Sequence, residues 1–373
     1  MPGGGTLYEV SAAGHETELY GFLGAPGGTD ANGIVVGPGG YIYGTTAFGG
    51  AANVGVVYKM TPEGRETVLY SFKGGTDGAT PYGGLAFDSA GNVYGTTNAG
   101  GASDAGIIYN VTPSGQETIL YTFTGGADGG LPNGVTIDSA GNLYGTTSRG
   151  GSGSMTGAQE GVVFRLRPSG QETVLYSFTG LSDGGSPEAG VILDSKGNLY
   201  GTTYEGGVDY GGVLYKLSAA GQYTVLYSFS SSSGFAPWAG VVRDSAGNLY
   251  GTTAAGGGPA DAGVVYELDT SGNYTVLYAF QGGAEGSGPY TGVSRDSAGN
   301  LFGATQYGGE TECFLGCGVV YEVDAGGNYT VLYSFTGGSD GASGAVISAS
   351  EGKLYGYAGD GPALGGLVYK ITF

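Results

Sequence analysis

The chain has little of what most enzyme chemistry draws on. Its 373 residues include one histidine, His15, and two cysteines, Cys313 and Cys317. Metal sites built on several histidines are therefore excluded by count, and a Ser-His-Asp triad would have to recruit His15, which falls in a turn and reads as a surface residue. Basic residues are also scarce, with 12 Lys plus Arg against 32 Asp plus Glu and a net charge of −20. So acidic a surface argues against DNA, RNA and anionic membranes as partners, and leaves neutral or cationic ligands. No run approaches the ~20 apolar residues that a membrane-crossing helix needs. No stretch carries a sustained helical period with caps, and no phosphate-cradling Walker pattern occurs. No metal and no cofactor is expected.

What the chain has is repetition. The stretch Asp138-Ser139-Ala140-Gly141-Asn142-Leu143-Tyr144-Gly145-Thr146-Thr147 returns at Asp88 to Thr97, Asp194 to Thr203 and Asp244 to Thr253, with looser copies around Tyr43, Phe302 and Tyr355. Its aromatic recurs at intervals of 51, 50, 56, 50, 52 and 53 residues. That is the period of four-stranded propeller blades rather than of helical solenoids. Each period holds four short apolar or alternating runs, a to d, separated by Gly, Asn, Asp, Ser and Pro, the pattern of strands and turns. The 84 glycines disfavour helices and supply positive-φ turns. The expected fold is all-β: residues 1–373 as one domain, a single seven-bladed β-propeller with four antiparallel strands per blade.

The units Asn-Leu-Tyr-Gly-Thr-Thr, the Gly-Gly that follows, Gly55 to Lys59 and Leu69 to Phe72 give nearly the whole chain a resemblance to the GloVer (choice-of-anchor) tandem-repeat family of exported bacterial proteins. The resemblance implies a β-propeller that is extracellular or held at the cell surface, and it carries no functional residue onto this sequence. Met1 to Gly5 lacks the basic start and apolar core of a signal peptide, so under that implication the beginning reads as a mature one. In an oxidising compartment Cys313 and Cys317, both in the sixth b–c loop, would form a local disulfide. Free thiols and a metal pair are the other readings, the last lacking a second Cys or His pair.

Strands a, b and d each occur seven times, and strand c eight times. Thr6 to Val10 at the start repeats Gly366 to Ile371 at the end. The last blade therefore lacks its own strand d, which residues 16–22 are expected to supply, pairing Glu18 to Phe22 with the final strand c. The surplus strand c would pair outside the ring or lie loose.

The Asp of the recurring turn can bond its own backbone two residues on, and the turn is preferred to calcium binding because each copy offers one carboxylate. The Thr pairs lack a neighbouring base and read as structural. Arg243 and Arg295 end strand a of the fifth and sixth blades. They could hold an anion along the axis, but pairing with Asp244 or Asp296 is preferred.

The strongest site candidate is the face of the d–a and b–c loops. One residue after the loop proline stand Tyr82, Asn133, Glu188, Trp238 and Tyr290, with Asn32 and Ser343 at comparable places. The b–c loops add Tyr204, Glu205 and Tyr307. Aromatic planes beside carboxylates suit a neutral sugar, whose CH faces stack while its hydroxyls donate to carboxylates. Packing of the loops against one another is the competing reading. The expected function is a non-enzymatic binding module, with a neutral glycan first among ligands or another surface protein as partner. The alternatives are a structural protein self-associating through its surplus terminal strand, and a polysaccharide-acting enzyme using Glu188 and Glu205 as an acid–base pair.

Overall fold

In the computed structural model of the protein the described residues are 6–11, 16–21, 28–152, 160–309, 313, 316–337, 342–350, 353–359 and 367–372. Among them are 29 strands, three single-turn 3-10 helices and no α-helix. His15 lies outside the described residues, as does Phe22 of the proposed closing strand.

The strands form six sheets, four of four strands, one of eight and one of five. Each four-stranded sheet is an antiparallel meander in the order a-b-c-d, within residues 29–71, 192–228, 242–279 and 294–334. The eight-stranded sheet contains two further meanders, within 79–122 and 130–177, whose a strands meet in a parallel pair at Gly84 and Gly134. The arrangement is all-β and propeller-like, but it is not seven separate four-stranded blades. Glycine permits the fusion. A Cβ on Gly83 would stand 2.4 Å from the Asn133 carbonyl oxygen, and one on Gly134, at φ +96°, 2.6 Å from the Gly84 nitrogen. Only residues without a side chain let two main chains approach so closely.

The five-stranded sheet corrects the expected closure. Its order is Glu16–Gly21, Thr6–Ser11, Leu367–Thr372, Lys353–Gly359, Ala342–Ser350. The strand beside Leu367–Thr372 is Thr6–Ser11, paired in parallel with Tyr8 opposite Tyr369, and Glu16–Gly21 lies one place further out. The surplus strand is thus neither loose nor outside the sheet. It is hydrogen-bonded on both edges, which removes it as a free edge for self-association.

The core is divided among the interfaces of neighbouring sheets and meanders. Tyr43, Val57 and Phe72 of the first meander pack with Leu85, Ile107 and Tyr109 of the second. Phe302, Val320 and Phe335 of the sixth pack with Leu354 and Ile371 of the five-stranded sheet, whose Tyr355 packs in turn on Ile34, Ile42 and Val56 of the first. Repetition explains this pattern. Every strand b carries a glycine under the strand c aromatic, so that a Cβ on Gly201 would lie 2.5 Å from the Tyr215 hydroxyl. Tyr109, Tyr215, Tyr266 and Tyr321 are fully buried, and their hydroxyls have no hydrogen-bond partner among the described residues. The third meander places Phe164 at this position. A buried hydroxyl without a partner costs ~1–3 kcal/mol. Tyr215→Phe should therefore raise stability by about 1 kcal/mol in a urea titration, and a loss of stability would show the hydroxyl to be satisfied.

The turn aspartates behave as turn residues. Asp138 accepts from the N–H groups of Ala140 and Asn142, from the Asn142 amide and from the Tyr144 hydroxyl, and Asp88 and Asp194 repeat the pattern.

One asymmetry was not visible in the repeat. Strand a is eight or nine residues long in the first three meanders (Thr29–Val36, Ala79–Phe87, Gly130–Ile137) and two residues long in the next three (Ile192–Leu193, Val242–Arg243, Ser294–Arg295). In the fourth to sixth meanders the segment before strand a is released from the sheet to form the loops that carry the site.

Candidate functional site: an aromatic row beside three carboxylates

Each released segment begins with a residue in a left-handed conformation immediately before proline: Ser186 (φ 48°), Ala236 (φ 57°) and Gly288 (φ 64°). Residues before proline avoid compact conformations, and non-glycine residues avoid positive φ, so this backbone persists only where contacts over-determine it. Those contacts are present. The Ser186 N–H donates to the Glu160 carbonyl at 2.9 Å, and its carbonyl accepts from the Tyr204 N–H at 3.0 Å. Ala236 is held in the same way by Gly211 and Ala254. The Thr pairs finish the job across the interfaces. Thr146, Thr202 and Thr252 donate to the carbonyls of Ala189, Ala239 and Thr291 in the next meander. These carbonyls directly follow Glu188, Trp238 and Tyr290, so three candidate side chains are mounted on a cross-linked frame.

Four of the candidate aromatics form one continuous row. Tyr204 meets Trp238 at 4.9 Å between ring centres, Trp238 meets Tyr290 at 5.7 Å, and Tyr290 meets Tyr307 at 6.3 Å, all edge to face. The four rings are half-buried. They pack on one another and also present surface, so the two readings of these loops are both realised. The b–c loop of the fourth meander, which carries Tyr204, also carries Val208 and Tyr210, which are 76% and 71% exposed.

The carboxylates lie at the Tyr204 end. Glu205 is exposed and accepts from the Ser186 hydroxyl at 2.9 Å. Glu188 is half-buried, and burial followed by the charge of Glu205 pushes its carboxyl up to about 7, against the pull of Arg149. Glu160 is a third acid that sequence reasoning missed. It is 7% exposed and also raised, first by burial and then by Glu205 and Asp183. A signal for it existed. The residue before the glycine that opens strand c is Val54, Ala105, Gly211, Ala262 or Cys317 elsewhere, and Glu only in the third meander. Its carboxyl group lies beneath the Gly180–Gly185 turn, where a Cβ on either glycine would come within 2.6 Å of it.

Tyr82 and Asn133 are not part of this group. They lie within the long a strands of the second and third meanders, and Asn133 is 3% exposed, its amide donating to Thr146 and the Pro187 carbonyl. Cys313 and Cys317 are joined in a disulfide in the sixth b–c loop, with Cys317 fully buried against the cluster of Phe335. Arg243 and Arg295 make no ion pair among the described residues. Each guanidinium lies over a tyrosine of the preceding meander, Tyr200 or Tyr250. No group of three or more His, Cys, Asp or Glu among the described residues is arranged to hold a metal ion.

A family model described as the Gloeobacter/Verrucomicrobia repeat matches residues 1–159 and 152–369. No curated protein matches the sequence. Among solved structures, a puromycin hydrolase bound to PGG aligns over 92% of this chain and 52% of its own at 13% identity and a TM-score of 0.57, so the chain spans about half of that protein. A candidate 6-phosphogluconolactonase from Bacteroides fragilis aligns over 87% of this chain and 88% of its own at 16% identity and a TM-score of 0.55. These likenesses are of fold.

Proposed function

The chain belongs to the Gloeobacter/Verrucomicrobia repeat family, and on that frame we propose that it is an exported or cell-surface binding module whose ligand is a neutral glycan. The sheets are read as one ring, counted as seven units when the eight-stranded sheet is divided at its parallel pair. The observation that carries the functional reading is the row Tyr204–Trp238–Tyr290–Tyr307 with Glu188 and Glu205 at one end. Sugars offer CH faces to rings and hydroxyl hydrogens to carboxylates, and a row of four rings matches an oligosaccharide better than a single residue. The net charge of −20 disfavours acidic polymers. Affinity on such an open shelf should be weak, on the order of millimolar to tens of micromolar.

The test is calorimetric titration of neutral oligosaccharides, followed in the wild type also by the fluorescence of the single tryptophan. Binding should be lost in Trp238→Ala while the variant, which loses two ring contacts, still melts in one cooperative transition. Binding that survives this substitution would place the glycan elsewhere.

A second reading has its own observation. Glu188, raised to about 7 by burial and by Glu205, has the character of a general acid. Under that reading the wild type releases reducing ends from a bound oligosaccharide and Glu188→Gln binds without cleaving. Under the binding reading neither protein cleaves.

A further inference from the structure

Between the fourth and fifth meanders, on the face of the a–b and c–d turns and so opposite the aromatic row, lies a cleft of about 430 Å³. Tyr200 and Lys216 of the fourth meander and Arg243, Asp269, Thr270 and Ser271 of the fifth contribute to its wall. The Lys216 ammonium and the Arg243 guanidinium each lie 5.8 Å from the centre of the Tyr200 ring. Neither makes an ion pair among the described residues. The acids at hand are engaged elsewhere. Asp194 accepts from the Tyr200 hydroxyl and from its own turn, and Asp269 from the N–H groups of Ser271 and Asn273 and the Asn273 amide.

The repeat supplies internal controls. At the preceding interface the places of Lys216 and Arg243 are taken by Arg165 and Leu193, leaving one cation. At the following interface they are taken by Glu267 and Arg295, and the Glu267 carboxylate accepts from the Tyr250 hydroxyl at 3.1 Å. Of these three interfaces, only the one between the fourth and fifth meanders places two cations over one ring. In a chain with 12 basic residues and 32 acidic ones, such a pair would ordinarily be neutralised.

We propose that this cleft binds a small organic anion, a phosphate or sulfate monoester of about the size of a sugar. Arg243 supplies a planar fork for two of the anion's oxygens, Lys216 a point charge, and Tyr200 an apolar floor for the attached ring. The hydroxyls of Thr270 and Ser271 border the same space. The volume is that of an ordinary small-molecule site.

Calorimetric titration tests this in a Trp238→Ala background, so that the aromatic row does not contribute heat. The probes are glucose 6-phosphate, glucose 6-sulfate and glucose. One site is expected for at least one charged ester and none for glucose, and the preferred ester identifies the source of the anion. Lys216→Glu and Arg243→Leu install the residues that the repeat itself uses at neighbouring interfaces, so their melting temperatures should be unchanged while affinity falls at least ~10-fold each. Glu267→Lys should create a second site and double the stoichiometry. The proposal is overturned if no charged ester binds below about 10 mM, if both substitutions bind as the parent does, or if Glu267→Lys leaves the stoichiometry at one.

Discussion

Removal of residues 1–21 should lower the melting temperature by ~10 °C or more and broaden the transition. Truncation takes away two of the five strands of the five-stranded sheet and exposes the edge of Leu367–Thr372 along the four residues that Thr6–Ser11 now covers. A sheet edge stripped of its partner loses its ladder and becomes a site for association between chains. Adding the peptide of residues 1–21 in trans should restore part of the lost stability. The order of the two strands can be tested separately. Glu9 lies in a strand paired on both sides and Thr17 in the outermost one. Proline removes a ladder donor, so Glu9→Pro should destabilise more than Thr17→Pro. An unchanged melt after truncation would refute closure by this segment, and a larger effect at Thr17 would reverse the strand order.

The second large effect is expected at the start of strand d. In the fourth to sixth meanders this position is Tyr223, Tyr274 and Tyr329. Each stacks on a tyrosine of the preceding meander at 3.9–4.0 Å and donates to a carbonyl there, those of Asp183, Ser233 and Glu285. In the second and third meanders the same position is Glu117 and Glu172, facing Tyr70 with Asp77 and Tyr121 with Asp128. One carboxyl oxygen of each is buried without a partner among the described residues. Burial first, and then the neighbouring aspartate, pushes each from 4.5 to about 7. The folded chain therefore holds these protons more tightly than the unfolded chain. Stability is unaffected below about pH 4.5, where both states are protonated. It falls as pH rises from 4.5 towards 7, where only the unfolded chain has released them, and is lowest above 7. Both groups are partly exposed, so the penalty is discounted to about 1 kcal/mol each. Tyrosine removes it and adds a stacked pair worth a further ~1 kcal/mol. Glu117→Tyr with Glu172→Tyr should stabilise the protein by ~3–4 kcal/mol at pH 8 and by less at pH 4.5. Equal gains at the two pH values would mean that the carboxyls are not raised.

Both variants mark what the residues disclosed and what they withheld. Strands b, c and d were legible because their runs recur with fixed turns, Asp138 to Asn142 among them. The place of Thr6–Ser11 was not, because a strand c pattern is equally apolar whether it pairs parallel or antiparallel. The length of strand a was not either. Gly-Pro-Tyr-Thr-Gly-Val at 288–293 and Thr-Pro-Tyr-Gly-Gly-Leu at 80–85 look alike, yet one is loop and the other ladder. Of the site, the alignment of Glu188, Trp238 and Tyr290 came from the repeat, and their ring contacts needed coordinates. Asn133 looked equivalent to Trp238 but is sealed inside a long strand. Glu160 departed from its repeat position in plain sight, and without the neighbouring turn in three dimensions nothing distinguished it from a loop acid.

The glycines at Gly83 and Gly134 have a consequence for how such a chain can diversify. Where main chain touches main chain, any mutation that adds a side chain wedges two units apart, so drift at this pair of strands is closed. The loops before the short a strands carry no such restriction, since they end in frames held by Thr146, Thr202 and Thr252 whatever residue comes just before the accepting carbonyl. Descendants of this sequence are therefore free to exchange the Glu188, Trp238 and Tyr290 positions while inheriting the parallel pair unchanged.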